Sequence, residues 1–177
     1  WSNERRHDLF FQPLKDLGGG YLGVGGDQNY TLAAAASASV LWLVDLDASV
    51  VYMHRLYAAL LGGAPTAKDF LARFEKRAAP AVHAAVAARY EDPVEQQAIL
   101  EIYHAYRDLL RNHLRRMARA PRGRTWLADR EKYRHIRDLA LAGRLVARRG
   151  DLTGPAAMLE IADAAKRAGV PMHVVYL

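Results

Sequence analysis

The sequence predicts an α/β fold in which a parallel sheet is flanked by helices and interrupted by an inserted block of helices. Short, strongly apolar runs typical of buried strands alternate with segments of helical periodicity at both ends of the chain. A glycine-rich turn joins the first apolar run to the helix that follows it. A long central stretch shows helical periodicity alone, so we expect helices to be inserted between two strands.

The first part of the chain predicts a strand-helix-strand-helix unit. Apolar residues between Leu9 and Leu17 have the spacing of a short amphipathic helix, which three glycines end. We expect strands at 21–24 and 40–44, and helices at 29–38 and 49–61. Asp27 or Asn29 can provide the N-cap of the first of these helices, and Gly62 ends the second.

The central block predicts helices near 66–77, 80–90 and 93–117, so we expect a helical insert at 66–120. The last helix has the clearest pattern, because Asp92 can cap it and Pro93 suits its first position. Its apolar stripe comprises Ile99, Ile102, Tyr103, Tyr106, Leu109, Leu110, Leu114 and Met117.

The alternation of strand and helix resumes after the insert. We expect a helix between Asp129 and Gly143, a strand at 145–147, a helix opened by Pro155, and a strand at 172–177. We interpret residues 1–177 as a single α/β domain. It starts without methionine and stops within an apolar run, so we expect it to be incomplete at both ends.

Composition narrows the class of protein without identifying it. The absence of cysteine excludes disulfides, thiolate metal sites and cysteine nucleophiles. The longest apolar stretch, at 32–44, is shorter than the roughly 20 residues that a transmembrane helix needs, and a cytoplasmic location is the expectation. A net charge of +6 fits an anionic partner, but it also fits the arginine-rich and alanine-rich composition of a biased genome.

Candidate ligand-binding residues follow three of the predicted strands. Gly23, Gly25, Gly26 and Asp27 lie at the first turn, Asp45 and Asp47 follow the second strand, and Asp151 follows the third. Ligands of open α/β sheets bind beyond the carboxyl ends of the strands, so we expect these residues to form one site. The alternatives are a tight turn without a ligand, a helix cap at Asp45 or Asp47, and a turn acid at Asp151.

The glycine turn disfavours phosphate-rich ligands. No lysine follows Gly25 or Gly26, so the turn is not a P-loop, and Gln28 stands where a dinucleotide fingerprint needs its third glycine. Asp27 would repel a pyrophosphate. An acid in this position is compatible with a cationic or zwitterionic ligand.

Three segments carry a resemblance to a known family, namely Tyr21–Thr31, Val44–Asp47 and Gly150–Gly154. The chain resembles the class I S-adenosylmethionine-dependent methyltransferases, and more closely a sparsely characterised bacterial family with that Rossmann-like fold. The resemblance implies that Gly23, Gly25 and Gly26, with Asp27 beside them, lie against the methionine part of S-adenosylmethionine. It further implies that Asp45 holds the ribose and that Asp151 meets the adenine amine.

We therefore expect an S-adenosylmethionine-binding, methyltransferase-like protein whose acceptor is an unknown small molecule or other partner. The sequence identifies no catalytic residue, leaves enzymatic activity and oligomeric state open, and shows no histidine spacing that would build a metal site. Among the remaining residues, Tyr30 and His54 are the candidates to test near the ligand, and the alternative for both is ordinary packing. The alternative is a non-catalytic module that holds RNA or acidic lipid through the arginine-rich region from Arg111 to Arg134, with nucleic acid the weaker hypothesis.

Overall fold

A computed structural model describes residues 7–177 and confirms the α/β fold. Four strands form one sheet in the order β3-β2-β1-β4, and all three strand pairs are parallel. The strands are β1 (Gly20–Val24), β2 (Val40–Asp45), β3 (Leu145–Arg149) and β4 (Met172–Tyr176). The chain runs outward from β1 through β2 to β3 and then returns to the far side of β1, as in Rossmann-like folds.

Eight α-helices accompany the sheet within the described residues. The helices are α1 (Phe11–Leu14), α2 (Gln28–Ala35), α3 (Ala48–Gly62), α4 (Ala67–Ala72), α5 (Ala79–Arg89), α6 (Pro93–Ala118), α7 (Arg130–Leu141) and α8 (Pro155–Arg167). Short 3-10 helices at His7–Phe10 and Lys76–Ala78 precede α1 and α5. Helices α4 to α6 occupy the region predicted as an insert. None of the helices within 7–177 combines the length and hydropathy required to cross a bilayer.

The two faces of the sheet bury separate groups of side chains. Tyr21, Leu41 and Leu43 face the larger core, which includes residues of α2, α3, α6 and α7. On the other face, α8 packs Ile161 and Ala165 against a smaller cluster formed by Leu22, Val40, Trp42 and Val44. The continuous apolar runs of β1 and β2 are thus explained, because both central strands are covered on both sides.

Three predicted local features differ from the structure. The first expected helix is reduced to a 3-10 turn and the four-residue α1, and the part of that prediction on residues 1–6 lies outside the described chain. Helix α2 ends at Ala35 because Ser37 adopts a left-handed conformation with φ 52°, and the Ala38 N–H returns to the Ala33 carbonyl.

The expected helix at 66–77 is divided. Thr66 and Asp69 form a reciprocal capping box that starts α4, but the helix ends at Ala72. Turn hydrogen bonds follow at residues 73–75. With this turn, Phe70 of α4 and Phe74 beyond it both pack in an aromatic cluster with Tyr57. Burial of these rings decides the path of the chain where helical periodicity alone predicted a continuous helix.

Candidate functional site

A cleft of about 450 Å³ lies beyond the carboxyl ends of β1 and β2 and is closed on one side by α6. Its size suits a small organic ligand. Twelve residues line the cleft: Gly25, Gly26, Asp27, Asp45, Asp47, Ser49, Val50, Met53, Ile102, Tyr106, Leu109 and Leu110. Three of them are acids, and none is lysine, arginine or histidine. The cleft therefore combines an acidic end with an apolar wall.

Asn29 holds the glycine turn from the side of α2. Its fully buried side chain donates to the carbonyls of Val24 at 2.9 Å and Gly26 at 3.0 Å, and it accepts from the Tyr21 hydroxyl at 3.0 Å. A Cβ atom on Gly23 would lie 2.1 Å from Asn29 Oδ1. Gly23 is required by this packing and does not line the cleft, so the structure does not bring it to the other predicted ligand-binding residues.

A second set of buried hydrogen bonds, formed by His54 of α3 and Tyr30 of α2, also holds the glycine turn. His54 Nε2 lies 2.8 Å from the Gly25 carbonyl, and His54 Nδ1 lies 3.0 Å from the Tyr30 hydroxyl. A carbonyl only accepts, so Nε2 donates and Nδ1 accepts from Tyr30. Burial lowers the pKa of His54 and raises that of Tyr30, which keeps both groups neutral. Tyr30 and His54 thus position Gly25, whose φ of 83° favours glycine, and neither side chain lines the cleft.

Asp27 is the buried acid of the cleft. Of the two predicted N-cap residues, Asp27 occupies the N-cap position of α2, but its side chain makes no capping hydrogen bond. Instead, Oδ1 accepts a hydrogen bond from His113 Nε2 of α6 at 2.8 Å. Oδ2 is buried and has no hydrogen-bond partner among residues 7–177. A buried carboxylate oxygen without a hydrogen-bond partner is energetically costly.

Asp45 and Asp47 have different roles at the end of β2. Asp47 is the N-cap of α3, where its Oδ1 accepts the Ser49 N–H at 2.8 Å, and this bond lowers the pKa of Asp47. Asp45 Oδ1 accepts the Asp47 N–H at 2.8 Å. No hydrogen bond within the described chain reaches Oδ2 of Asp45. The helix-cap alternative therefore holds for Asp47, while Asp45 keeps an acceptor for a ligand.

Asp151 is not among the residues that line the cleft. The residue follows β3 at the neighbouring edge of the sheet, and its exposed carboxylate accepts the N–H of Thr153 at 2.8 Å and its hydroxyl at 2.6 Å. These two bonds hold the pKa of Asp151 below its usual range. The turn-acid alternative thus describes its contacts, and its role toward a nucleobase stays a prediction.

Helix α6, which belongs to the predicted insert, supplies the apolar wall of the cleft. Tyr106 and Leu109 are 44% and 49% exposed, and with Ile102 and Leu110 they face the cleft. The sequence feature that indicated this second apolar surface was the width of the apolar stripe of α6. The stripe spans more of the helix circumference than packing against the core alone requires. His113 is a further site residue that the sequence did not single out.

Several side chains of the arginine-rich region make local contacts. Arg124 pairs with Asp8, Arg134 with Glu131, and Lys132 Nζ lies over the Phe11 ring. Arg111 and Arg115 turn toward Glu75, on the flank of α6 away from the cleft. These five basic side chains are thus engaged in separate local contacts.

Comparison of the sequence with protein families gives a match over the whole chain. The chain belongs to the DUF7790 family. The matching description is a domain of unknown function, and the family model covers residues 1–177. A comparison with curated proteins gives no match.

Proposed function

We propose that the cleft binds S-adenosylmethionine and that the protein is methyltransferase-like, acting on an acceptor of unknown identity. The observation that carries the proposal is the set of cleft side chains, where Asp27, Asp45 and Asp47 are accompanied by no basic residue. The three carboxylates would repel a pyrophosphate. A ligand with positive charges and a nucleoside matches both the acidic end and the apolar wall.

The residues present fit the parts of this cofactor. The buried Oδ2 of Asp27 lacks a donor within 7–177 and would accept one from the ammonium group of the methionine part. Asp45 would hold the ribose hydroxyls through its remaining acceptor, Oδ2. Tyr106 and Leu109 would cover the apolar surface of the bound nucleoside.

When bound, S-adenosylmethionine supplies an electrophilic methyl group on a sulfonium. The chain would contribute mainly by holding and orienting its ligands, because methyl transfer depends on the alignment of the two reactants. Asn29, Tyr30 and His54 would maintain the turn on which the cofactor rests. This role needs no nucleophilic side chain from the protein.

Isothermal titration with S-adenosylmethionine and its demethylated product tests the proposal. We expect saturable binding of both ligands and about tenfold weaker binding for Asp45→Asn, equivalent to about 1.4 kcal/mol. The matched control is Asp163→Asn, an exposed acid on α8 that should leave the affinity unchanged. Absence of heat at millimolar ligand, or tighter binding of NAD⁺ or ATP, would overturn the proposal.

A further inference from the structure

A second concave surface lies on the opposite flank of α6. It is a groove of about 660 Å³ between α4, the 3-10 helix at Lys76–Ala78 and α6, and we call it the basic groove. Its charged lining residues are Lys68, Glu75, Lys76, Arg77, Arg111 and Arg115. Five of these side chains are basic and one is acidic, so the groove is positively charged. The cleft, in contrast, is lined by three acidic side chains.

Glu75 pairs with Arg111 and Arg115 but does not use all of their N–H donors. Its Oε1 accepts from Arg115 Nη2 at 2.6 Å, and its Oε2 lies 3.9 Å from Arg111 Nη1. The Nε atom of Arg111 is buried and has no acceptor among residues 7–177. A guanidinium offers five N–H donors in a fixed plane, so both arginines retain donors for a further anion.

The neighbouring acids leave the groove positively charged. Asp108, exposed on the same flank, lies 3.4 Å from Arg111 Nη2 and also pairs with Arg107. If Glu75 and Asp108 are both subtracted from the five basic side chains, an excess of three positive charges remains. These ion pairs lie at the surface and are partly exposed, and surface pairs typically contribute only about 0 to 1 kcal/mol, so a multivalent anion can compete for the arginines.

We propose that the basic groove binds a small ligand with two or more phosphate groups. Arginine offers paired donors that match phosphate oxygens, and Lys68, Lys76 and Arg77 add charge around the same concavity. No aromatic side chain lines the groove, so it offers no platform for stacking nucleobases. These features favour a compact polyphosphate or phosphorylated metabolite over a nucleic acid strand.

Titration with inorganic tripolyphosphate tests this site independently of the cleft. We expect saturable binding that weakens by about tenfold or more between about 50 mM and 200 mM salt, because phosphate contacts release counterions. Arg111→Gln and Arg115→Gln should each weaken binding about tenfold, as expected for the loss of a charged hydrogen bond. Arg134→Gln is the matched control, since its exposed side chain lies outside the groove.

Glu75→Gln separates binding from misfolding. The substitution removes the acidic charge that lines the groove and should tighten tripolyphosphate binding, a gain that an unfolded variant would not show. Equal losses in the groove variants and in Arg134→Gln would overturn the proposal, as would an unchanged affinity in Glu75→Gln. Groove-dependent binding of a single-stranded RNA oligonucleotide or a phosphatidylserine vesicle that exceeds tripolyphosphate binding would also overturn it.

Discussion

At the scale of single residues, the glycine turn depends on side chains that lie behind it. Asn29 and His54 bind the carbonyls of Val24, Gly25 and Gly26, so the turn presents a fixed backbone to the cleft. Glycine content in the sequence indicated a turn, but it did not indicate which side chains hold the turn in place. Those partners lie on α2 and α3, and folding brings them together.

We expect Asn29→Ala to destabilise the protein by about 2 to 3 kcal/mol. The substitution removes three buried hydrogen bonds, two to the carbonyls of Val24 and Gly26 and one from the Tyr21 hydroxyl, and the loss of buried hydrogen bonds is costly. Urea denaturation measures the change in the free energy of unfolding. Asn112→Ala, on the exposed side of α6, is the control and should change stability by less than about 0.5 kcal/mol.

His54 makes stability depend on pH. Its pKa is lowered from 6.5 by burial, so the unfolded chain binds the proton more readily than the folded protein. The stability that the protein gains from burying neutral His54 should therefore be fully present above about pH 6.5. Below that pH the free energy of unfolding should fall, by up to about 1.4 kcal/mol per pH unit, as the pH drops toward the folded-state pKa of His54.

Urea denaturation of the wild type and His54→Gln at several pH values measures this effect. Burial also lowers the pKa of His135, which contributes in the same direction, so the slopes of the two proteins are compared. The His54→Gln protein should lose less stability on acidification. Parallel slopes would show that His54 is not a source of the pH dependence.

At the scale of secondary-structure elements, α6 serves three surfaces. One face packs in the core through Ile99, Tyr103 and Leu114, one flank lines the cleft, and the other lines the basic groove. The sequence predicted the helix and its cap at Asp92, and both are confirmed. It could not divide the apolar stripe between core and cleft, because periodicity does not record what lies opposite each side chain.

Two leucines of α6 distinguish these surfaces. Leu114 is fully buried and Leu109 is 49% exposed, so Leu114→Ala should cost about 3 kcal/mol of unfolding free energy and Leu109→Ala less than about 1 kcal/mol. Only Leu109→Ala should weaken S-adenosylmethionine binding without a comparable loss of stability. Denaturation and calorimetric titration of both variants check the pair, and similar stability losses would contradict the assignment of faces.

At the scale of the whole molecule, the order of the strands determines which strands are most protected from amide hydrogen exchange. β1 and β2 are central and covered on both faces, whereas β4 lies at one edge and is only half-buried. Amide hydrogen exchange should therefore be slowest in β1 and β2 and faster in β4, because edge segments open with less loss of buried surface. Slower exchange in β4 than in β2 would contradict this order.

The sequence by itself determined the alternation of strands and helices, the parallel sheet and the acids at the strand ends. These features depend on local periodicity, on capping residues such as Asp92 and Asp129, and on glycines, which act over a few residues. Tertiary structure alone decided that Asp27 meets His113, that Gly23 packs against Asn29, and that Arg111 shares Glu75 with Arg115. Each of these contacts joins residues from different elements, and their distances depend on how the helices pack across the sheet and against one another.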